Sequence, residues 1–212
     1  MILHGYFRSG SAFRTRIALN LKNLTAEQQA IHLRRGEQHS ESYRRLNPQG
    51  LVPALELADD VLTQSLAIIE YFDELHPDPP LLPSDAIGRA RVRSLSLIIA
   101  CDTHPLGNLR VLSYLHDELE LSDDACANWY NHWIGLGLAA VEARLGERES
   151  GNFCHADAPG LADICLVPQV INAQRFGLDI SRFTRINQVT ANALQLDAFR
   201  NALPDRQPDC EP

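Results

Sequence analysis

At 212 residues, 45% of them apolar and 22% charged, the chain can bury a core without disulfide or metal staples, as one large domain or two small ones. Its 27 acidic residues outnumber 19 basic ones, for a net charge of −8. That balance, with no long basic run, excludes a general binder of nucleic acid or anionic membrane and leaves the arginines to be read one at a time. No secretory h-region fits Met1 to Gly10, and the longest apolar runs, Ser94 to Cys101 and Trp133 to Val141, are far too short for a bilayer. The five cysteines (Cys101, Cys126, Cys154, Cys165, Cys210) are odd in number, scattered and without a CxxC pair. This is the usage of reduced thiols in a cytoplasmic protein. No two histidines stand three to five residues apart, so no zinc motif is present and no metal is expected.

In chain order, Ile2 to Phe7 reads as a strand, and after the small polar turn Ser9 to Ser11, Phe13, Ile17, Leu21 and Leu24 recur at helical spacing. Glu27 to Leu33 is a second strand. Glu37 to Leu46 is a polar helix stopped by Asn47-Pro48. Val52 to Leu57 and Val61 to Thr63 form a hairpin turning at Ala58-Asp59-Asp60. Ser65 opens a helix with Ile68, Ile69, Phe72 and Leu75 on one face. The prolines of His76-Pro77-Asp78-Pro79-Pro80 and Pro83 read as a linker. Everything beyond reads as helix: a long one from Arg89 to about Leu119, a second capped at Ser122-Asp123-Asp124 and running through Leu145, a third from Leu161 to Phe176 that Pro168 should kink or end, and a last from Asn187 to Leu196. The tail, Asp205 to Pro212, is polar and proline-containing and reads as mobile.

Three local motifs carry chemistry. A strand entering a helix through Arg8-Ser9-Gly10-Ser11 places backbone N–H groups and a positive dipole end at the turn. A serine hydroxyl there can donate to a thiolate and favour its ionised form. Taken alone, both serines read first as helix caps. In Asn47-Pro48-Gln49-Gly50-Leu51-Val52-Pro53, a cis Pro53 would turn the Val52 backbone outward to pair with a peptide, whereas a trans bond is the commoner case. Gln64-Ser65, between strand and helix, can bind a carboxylate through a hydroxyl and N–H groups, or act as a plain cap.

In this order and spacing the motifs resemble the glutathione transferase superfamily. The run Tyr6-Phe7-Arg8-Ser9-Gly10-Ser11-Ala12-Phe13-Arg14-Thr15-Arg16-Ile17-Ala18-Leu19 is similar to the zeta-class signature. Asn47 to Leu55, Leu62 to Tyr71, Cys101 to Leu112 and Ala162 to Phe176 are similar to the bacterial maleylacetoacetate and maleylpyruvate isomerases. The resemblance covers the chain to near Pro208. It implies an α/β thioredoxin-like domain at 1–80, an all-α domain at 87–208, a cis Val52-Pro53 bond, and a homodimer formed near Ser65 to Leu75 and Arg89 to Cys101. It also implies glutathione as cofactor, with Ser9 toward its sulfur, Gly10 and Ser11 beside it, Val52, Gln64 and Ser65 on its backbone and γ-glutamyl end, and His104 and Asn108 approaching from the helical domain. By its residues alone, His104 reads as a histidine satisfied at a helix bend. Two departures stand out. The family's Ser-Ser-Cys core reads Ser9-Gly10-Ser11 here, so any role of the cysteine is absent. Its Thr-Leu-Ala-Asp capping box reads Gly160-Leu161-Ala162-Asp163, a loss of roughly a few tenths of a kcal/mol.

The implied reaction is cis–trans isomerisation of a maleyl diketo acid, a small dicarboxylate, by reversible thiolate addition. Arg8, Arg110 and Arg175 match basic residues near the isomerase active site, where planar guanidinium forks suit carboxylates; otherwise they are solvated surface residues. Arg110 within Asn108-Leu109-Arg110-Val111-Leu112 inclines the reading to maleylacetoacetate over maleylpyruvate. A general glutathione transferase would use the same first site. A thiol–disulfide oxidoreductase is excluded because no cysteine stands near Ser9 to Ala12. A non-catalytic module of the same fold has no use for Ser9, Gln64 and Ser65.

Overall fold

The computed structural model describes residues 1–211. They divide into two compact units, Met1–Leu81 together with the segment from Leu194 onward, and Leu82–Ala193. The second boundary differs from the expected 87–208. The segment from Leu194 joins the first unit because its short helix packs against the first unit's opening helix.

In the first unit β1 (Ile2–Gly5) and β2 (Glu27–Ala30) run parallel, connected by α1 (Gly10–Leu21). The hairpin of β3 (Ala54–Glu56) and β4 (Val61–Thr63) adds antiparallel to β1, giving the order β2-β1-β3-β4. The register sets Leu3 opposite both Gln28 and Leu55. Leu3, Leu55, Phe13 and Ile17 are buried, as are Ile68, Ile69 and Phe72 of α3 (Ser65–Leu75), which packs on α1. Leu75, expected on that face, is 57% exposed. A second small core gathers Tyr6, Phe7, Tyr43, Val52 and Ala54.

Several elements differ from their sequence patterns. The second strand ends at Ala30 and is exposed throughout, as befits the edge of the sheet. The helix expected over Glu37 to Leu46 is broken: a 3-10 turn covers Glu37–His39, and Ser40 then caps α2 (Glu41–Leu46), its hydroxyl accepting from the Tyr43 N–H at 3.2 Å. Instead of burying a single stripe, α1 is buried almost all round, Arg14, Thr15 and Arg16 included. Besides α3 it contacts α9 (Asp197–Arg200), and the Asn20 amide donates to Ala198 O at 2.8 Å. The proline segment is anchored rather than loose. The buried Lys22 ammonium donates to Asp73 Oδ1 and His76 O, each at 2.6 Å, and to Pro79 O. Val52-Pro53 is cis, as is Asp78-Pro79.

The second unit is helical. Asp85 caps α4 (Ala86–Leu97), accepting from Gly88 N at 2.8 Å. The long helix expected to Leu119 is interrupted by a π-type turn at Ile98–Thr103, a 3-10 turn at His104–Gly107 containing Pro105, α5 (Leu109–Ser113) and a further π-type turn at Tyr114–Glu118. Proline at the start of the 3-10 turn supplies no N–H to continue the preceding ladder. Then come α6 (Asp123–Arg144), α7 (Leu161–Arg175) and α8 (Thr184–Ala193), the last starting and ending earlier than its pattern. α7 runs through Pro168 unbroken. All residues from Leu161 to Val170 are buried, and that burial outweighs a proline cost of about 3 kcal/mol. At its start Gly160 supplies no side-chain cap, but Asp163 reaches back to accept from Gly160 N at 2.9 Å and from Cys154 N at 2.8 Å. Buried Arg91 ties α4 to the segment after α6, donating to Glu147, Ser150 Oγ and the carbonyls of Arg144 and Cys154. Among the described residues no helix is long and apolar enough to cross a membrane.

Candidate active site

The first unit presents three chain entries to chemistry. At the first, Ser9 N–H donates to Tyr6 O at 2.9 Å, closing a β-turn whose central residues are Phe7 and Arg8. Ser9 is extended and caps α1, its Oγ accepting from Ala12 N at 3.2 Å. The cap and thiol readings are therefore compatible: the bond uses an oxygen lone pair, and the hydroxyl proton is left for another acceptor. Gly10 is buried and Ser11 half-buried in the first turn, with Ser11 O accepting from Thr15 Oγ1. Arg8 lies with its guanidinium 4.9 Å from the Phe7 ring centroid.

The second entry is the turn before β3. Gly50 N–H donates to Asn47 O, and Gly50 takes φ +63°, where an added Cβ would stand 2.9 Å from Gln38 O. Leu51 O is held twice, by Tyr43 OH at 2.6 Å and Asn47 Nδ2 at 2.7 Å. Burial pushes the Tyr43 hydroxyl up to about 12, against the lowering effect of the Asn47 hydrogen bond, so it stays a donor at neutral pH. These bonds fix the chain just before Val52 and the cis Pro53. Neither Tyr43 nor Asn47 was marked by sequence as a support, because each acts eight or four residues away through a backbone carbonyl.

At the third, Gln64 holds φ +70°, ψ 117°, and its side-chain amide donates to Gln49 Oε1 at 2.8 Å. A non-glycine residue there is held at a cost of about 1–3 kcal/mol. Ser65 is the buried first residue of α3, not its cap, and Gln64 makes no side-chain cap bond. A helix start without a side-chain cap favours an anion.

In the second unit, His104 opens the 3-10 turn, half-buried, and Asn108 caps α5 with its Oδ1 accepting from Arg110 N at 3.1 Å. Arg110 is exposed. Trp129 Nε1 donates to Leu106 O at 2.8 Å, and a Cβ on Gly107 would meet the Tyr130 ring at 2.7 Å, so glycine allows this turn to lie on α6. Arg175 ends α7, exposed, with its guanidinium 5.0 Å from the Phe176 ring centroid. Phe176 in turn stacks on Tyr130 at 4.2 Å. Burial raises the Tyr130 hydroxyl, while the Arg175 charge and a Gln169 hydrogen bond work to lower it. Arg175 thus lies beside an aromatic pair whose two members stand far apart in the sequence. Within each unit the expected residues lie at turns and helix termini, except Arg110, which lies inside a one-turn helix.

A mixed four-stranded sheet flanked by helices, followed along the chain by an all-helical unit, is the architecture of a glutathione transferase. Residues 3–80 match the glutathione S-transferase N-terminal domain. Over 211 residues the chain is 47% identical to a probable maleylacetoacetate isomerase of Vibrio cholerae, covering 99% of this chain and 98% of that one. It superposes on the holo structure of a maleylpyruvate isomerase, a bacterial zeta-class glutathione S-transferase, with TM-score 0.98 at 45% identity and full coverage of both chains. A maleylacetoacetate isomerase from Methylobacterium extorquens AM1, solved with bound malonate and GSH, gives TM-score 0.97 at 39% identity, again over the whole of both chains. The chain belongs to the zeta-class glutathione transferase family that contains the maleylacetoacetate and maleylpyruvate isomerases.

Proposed function

We propose that this protein is a glutathione-dependent cis–trans isomerase of maleyl diketo acids, converting maleylacetoacetate to fumarylacetoacetate. One observation carries the reading: Ser9, a hydroxyl at the start of a buried helix, shares a β-turn with Arg8, so a hydrogen-bond donor for a thiolate and a cation suited to a carboxylate stand on adjacent residues.

The first unit's residues fit glutathione. Ser65 at the start of α3, next to the Gln64 amide, suits the γ-glutamyl carboxylate. Val52, next to the Leu51 carbonyl that Tyr43 and Asn47 hold, offers backbone groups to a peptide. Gly10 and Ser11 add first-turn N–H groups, and His104 and Asn108 are the contributions assigned to the helical unit; Asn108 keeps its side-chain N–H groups as donors while its oxygen serves Arg110. When bound, glutathione supplies a thiolate that adds to the cis double bond and leaves after the resulting single bond has rotated. Ser9 donates a hydrogen bond from its hydroxyl to the sulfur and, with the α1 dipole, lowers the thiol pKa. Arg8, Arg110 and Arg175 hold the two carboxylates and offset the negative charge that develops on the adjacent carbonyl oxygen.

The same arginines serve maleylpyruvate, the second reading. Measuring kcat/KM for both acids, with and without glutathione, decides between them; failure to isomerise either acid with glutathione present would falsify the proposal. We further propose a homodimer, supported by the exposed apolar Leu75 on α3 and Ile87 and Leu97 on α4; sedimentation showing only monomer at micromolar concentration would refute it. A cytoplasmic setting is supported by five scattered cysteines that form no disulfide with one another.

A further inference from the structure

We infer that Asp209, acting with Arg16, is a positioning residue for this reaction: it fixes the turn that presents Arg8 and Ser9. The inference rests on the reading of Ser9 as thiol donor.

The turn from Tyr6 to Ser9 is closed by one bond, Ser9 N–H to Tyr6 O. That bond leaves the N–H and C=O of Phe7, its first central residue, without partners inside the turn. Phe7 is only 3% exposed, so water does not readily serve them. Two charged side chains do. Asp209 Oδ2 accepts from Phe7 N at 2.9 Å, and Arg16 Nη2 donates to Phe7 O at 3.1 Å. Both are charge-assisted bonds, the stronger kind. Arg16 is 5% exposed and also donates to Ala202 O, through Nε at 3.3 Å and Nη2 at 3.2 Å. Burial pushes the Arg16 guanidinium down to about 10, and the attraction of Asp209 opposes that fall, so it remains charged at neutral pH.

The tail, expected to be mobile, is therefore a brace for as far as it is described; Pro212 lies outside the described residues. Its course is set on both sides of Asp209. Gln207 Nε2 donates to Asn201 O at 2.9 Å and Leu203 O at 2.8 Å, while Glu211 pairs with His32 at 3.2 Å and Arg35 at 2.6 Å. Asp209 reaches the reaction only through the backbone of Phe7. Its removal should loosen the turn and so misdirect the Ser9 hydroxyl and the Arg8 side chain together.

Asp209→Ala, Asp209→Asn and Ser9→Ala test this side by side. The readouts are amide exchange at Phe7 in ligand-free protein, ultraviolet titration of the bound glutathione thiol, and kcat and KM against pH. Asp209→Ala should speed Phe7 exchange, raise the bound-thiol pKa and lower neutral-pH kcat on the order of 10- to 100-fold, the effect of a small misplacement of catalytic groups. The deficit should narrow at alkaline pH, where thiolate forms unaided. Asp209→Asn, which keeps an oxygen for Phe7 N–H, should recover part of each loss. If Asp209→Ala leaves the bound-thiol pKa unchanged while Ser9→Ala raises it, the inference falls and the Ser9 reading stands. If neither variant moves it, both fall. Should Asp209→Ala fail to fold, Asp209→Asn carries the test alone: a smaller shift in the same direction upholds the inference, and no shift overturns it.

Discussion

The two units hold their candidate groups by different means. In the first, Ser9, Val52 and Ser65 are placed by backbone: a closed turn, a carbonyl held by Tyr43 and Asn47, and a helix entered through the positive φ of Gln64. In the second, Arg110 and Arg175 are long, exposed side chains, one on a single helical turn and the other lying over an aromatic pair. The difference follows the tasks proposed for them. Shifting a thiol pKa requires donors fixed within tenths of an ångström, which backbone supplies cheaply. Holding the carboxylates of a molecule that changes shape suits guanidinium forks on flexible stems.

The severest way to break the first half of this comparison is to remove its anchor. Lys22→Met leaves Asp73 and the carbonyls of His76 and Pro79 without their ammonium, and the expected loss is about 3–5 kcal/mol. Urea titration measures it, and a loss below about 1 kcal/mol would mean that the proline segment is held by other contacts. Next comes Ser9→Ala, which should raise the bound-thiol pKa and lower kcat at neutral pH on the order of 10²-fold. Equal thiol titration curves for the two proteins would return Ser9 to a plain cap.

The second half is tested by Arg175→Met. Losing one charged hydrogen-bonding partner should lower kcat/KM for maleyl diketo acids by about 10- to 150-fold. Conjugation of glutathione to an uncharged aryl halide should hardly change, and a parallel fall in both activities would show that Arg175 serves the fold instead. The smallest effect concerns Glu147, which hydrogen bonds from Arg91 and Arg144 hold below the ordinary carboxylate value of 4.5. A depressed pKa stabilises the fold above that ordinary value, and the contribution is lost as pH falls through the lower folded-state value. Glu147→Gln should therefore flatten the acid limb of a Tm–pH curve slightly while leaving its alkaline limb in place; an unchanged acid limb would remove the pair from the stability of this unit.

The same contrast explains what could be read from the residues. Strand, turn and helix start around Ser9, and the hairpin leading to Gln64, are local patterns, so residues a few positions apart announce them. Gln64 itself gave no sign of its positive φ, because glutamine carries no preference for that region and only the surrounding structure imposes it. Pro168 pointed the wrong way, since a local preference worth a few kcal/mol yields to a helix buried continuously from Leu161 to Val170. The breaks between Ile98 and Glu118 were hidden because apolar spacing continues across them while the backbone departs from the α pattern. Asp209 was illegible for another reason: a bond spanning nearly the whole chain leaves no periodicity near either partner.

The first unit is discontinuous along the chain, its sheet and α3 lying before the second unit and α9 with the tail after it. A ribosome thus releases Phe7 long before it releases Ala202 and Asp209. During synthesis the nascent first unit has its strands in hand while its Tyr6–Ser9 turn lacks the bond to Asp209, and the whole helical unit must emerge before that bond can form. The order of translation would then make completion of this turn a late event in biogenesis, following the appearance of the second unit rather than preceding it.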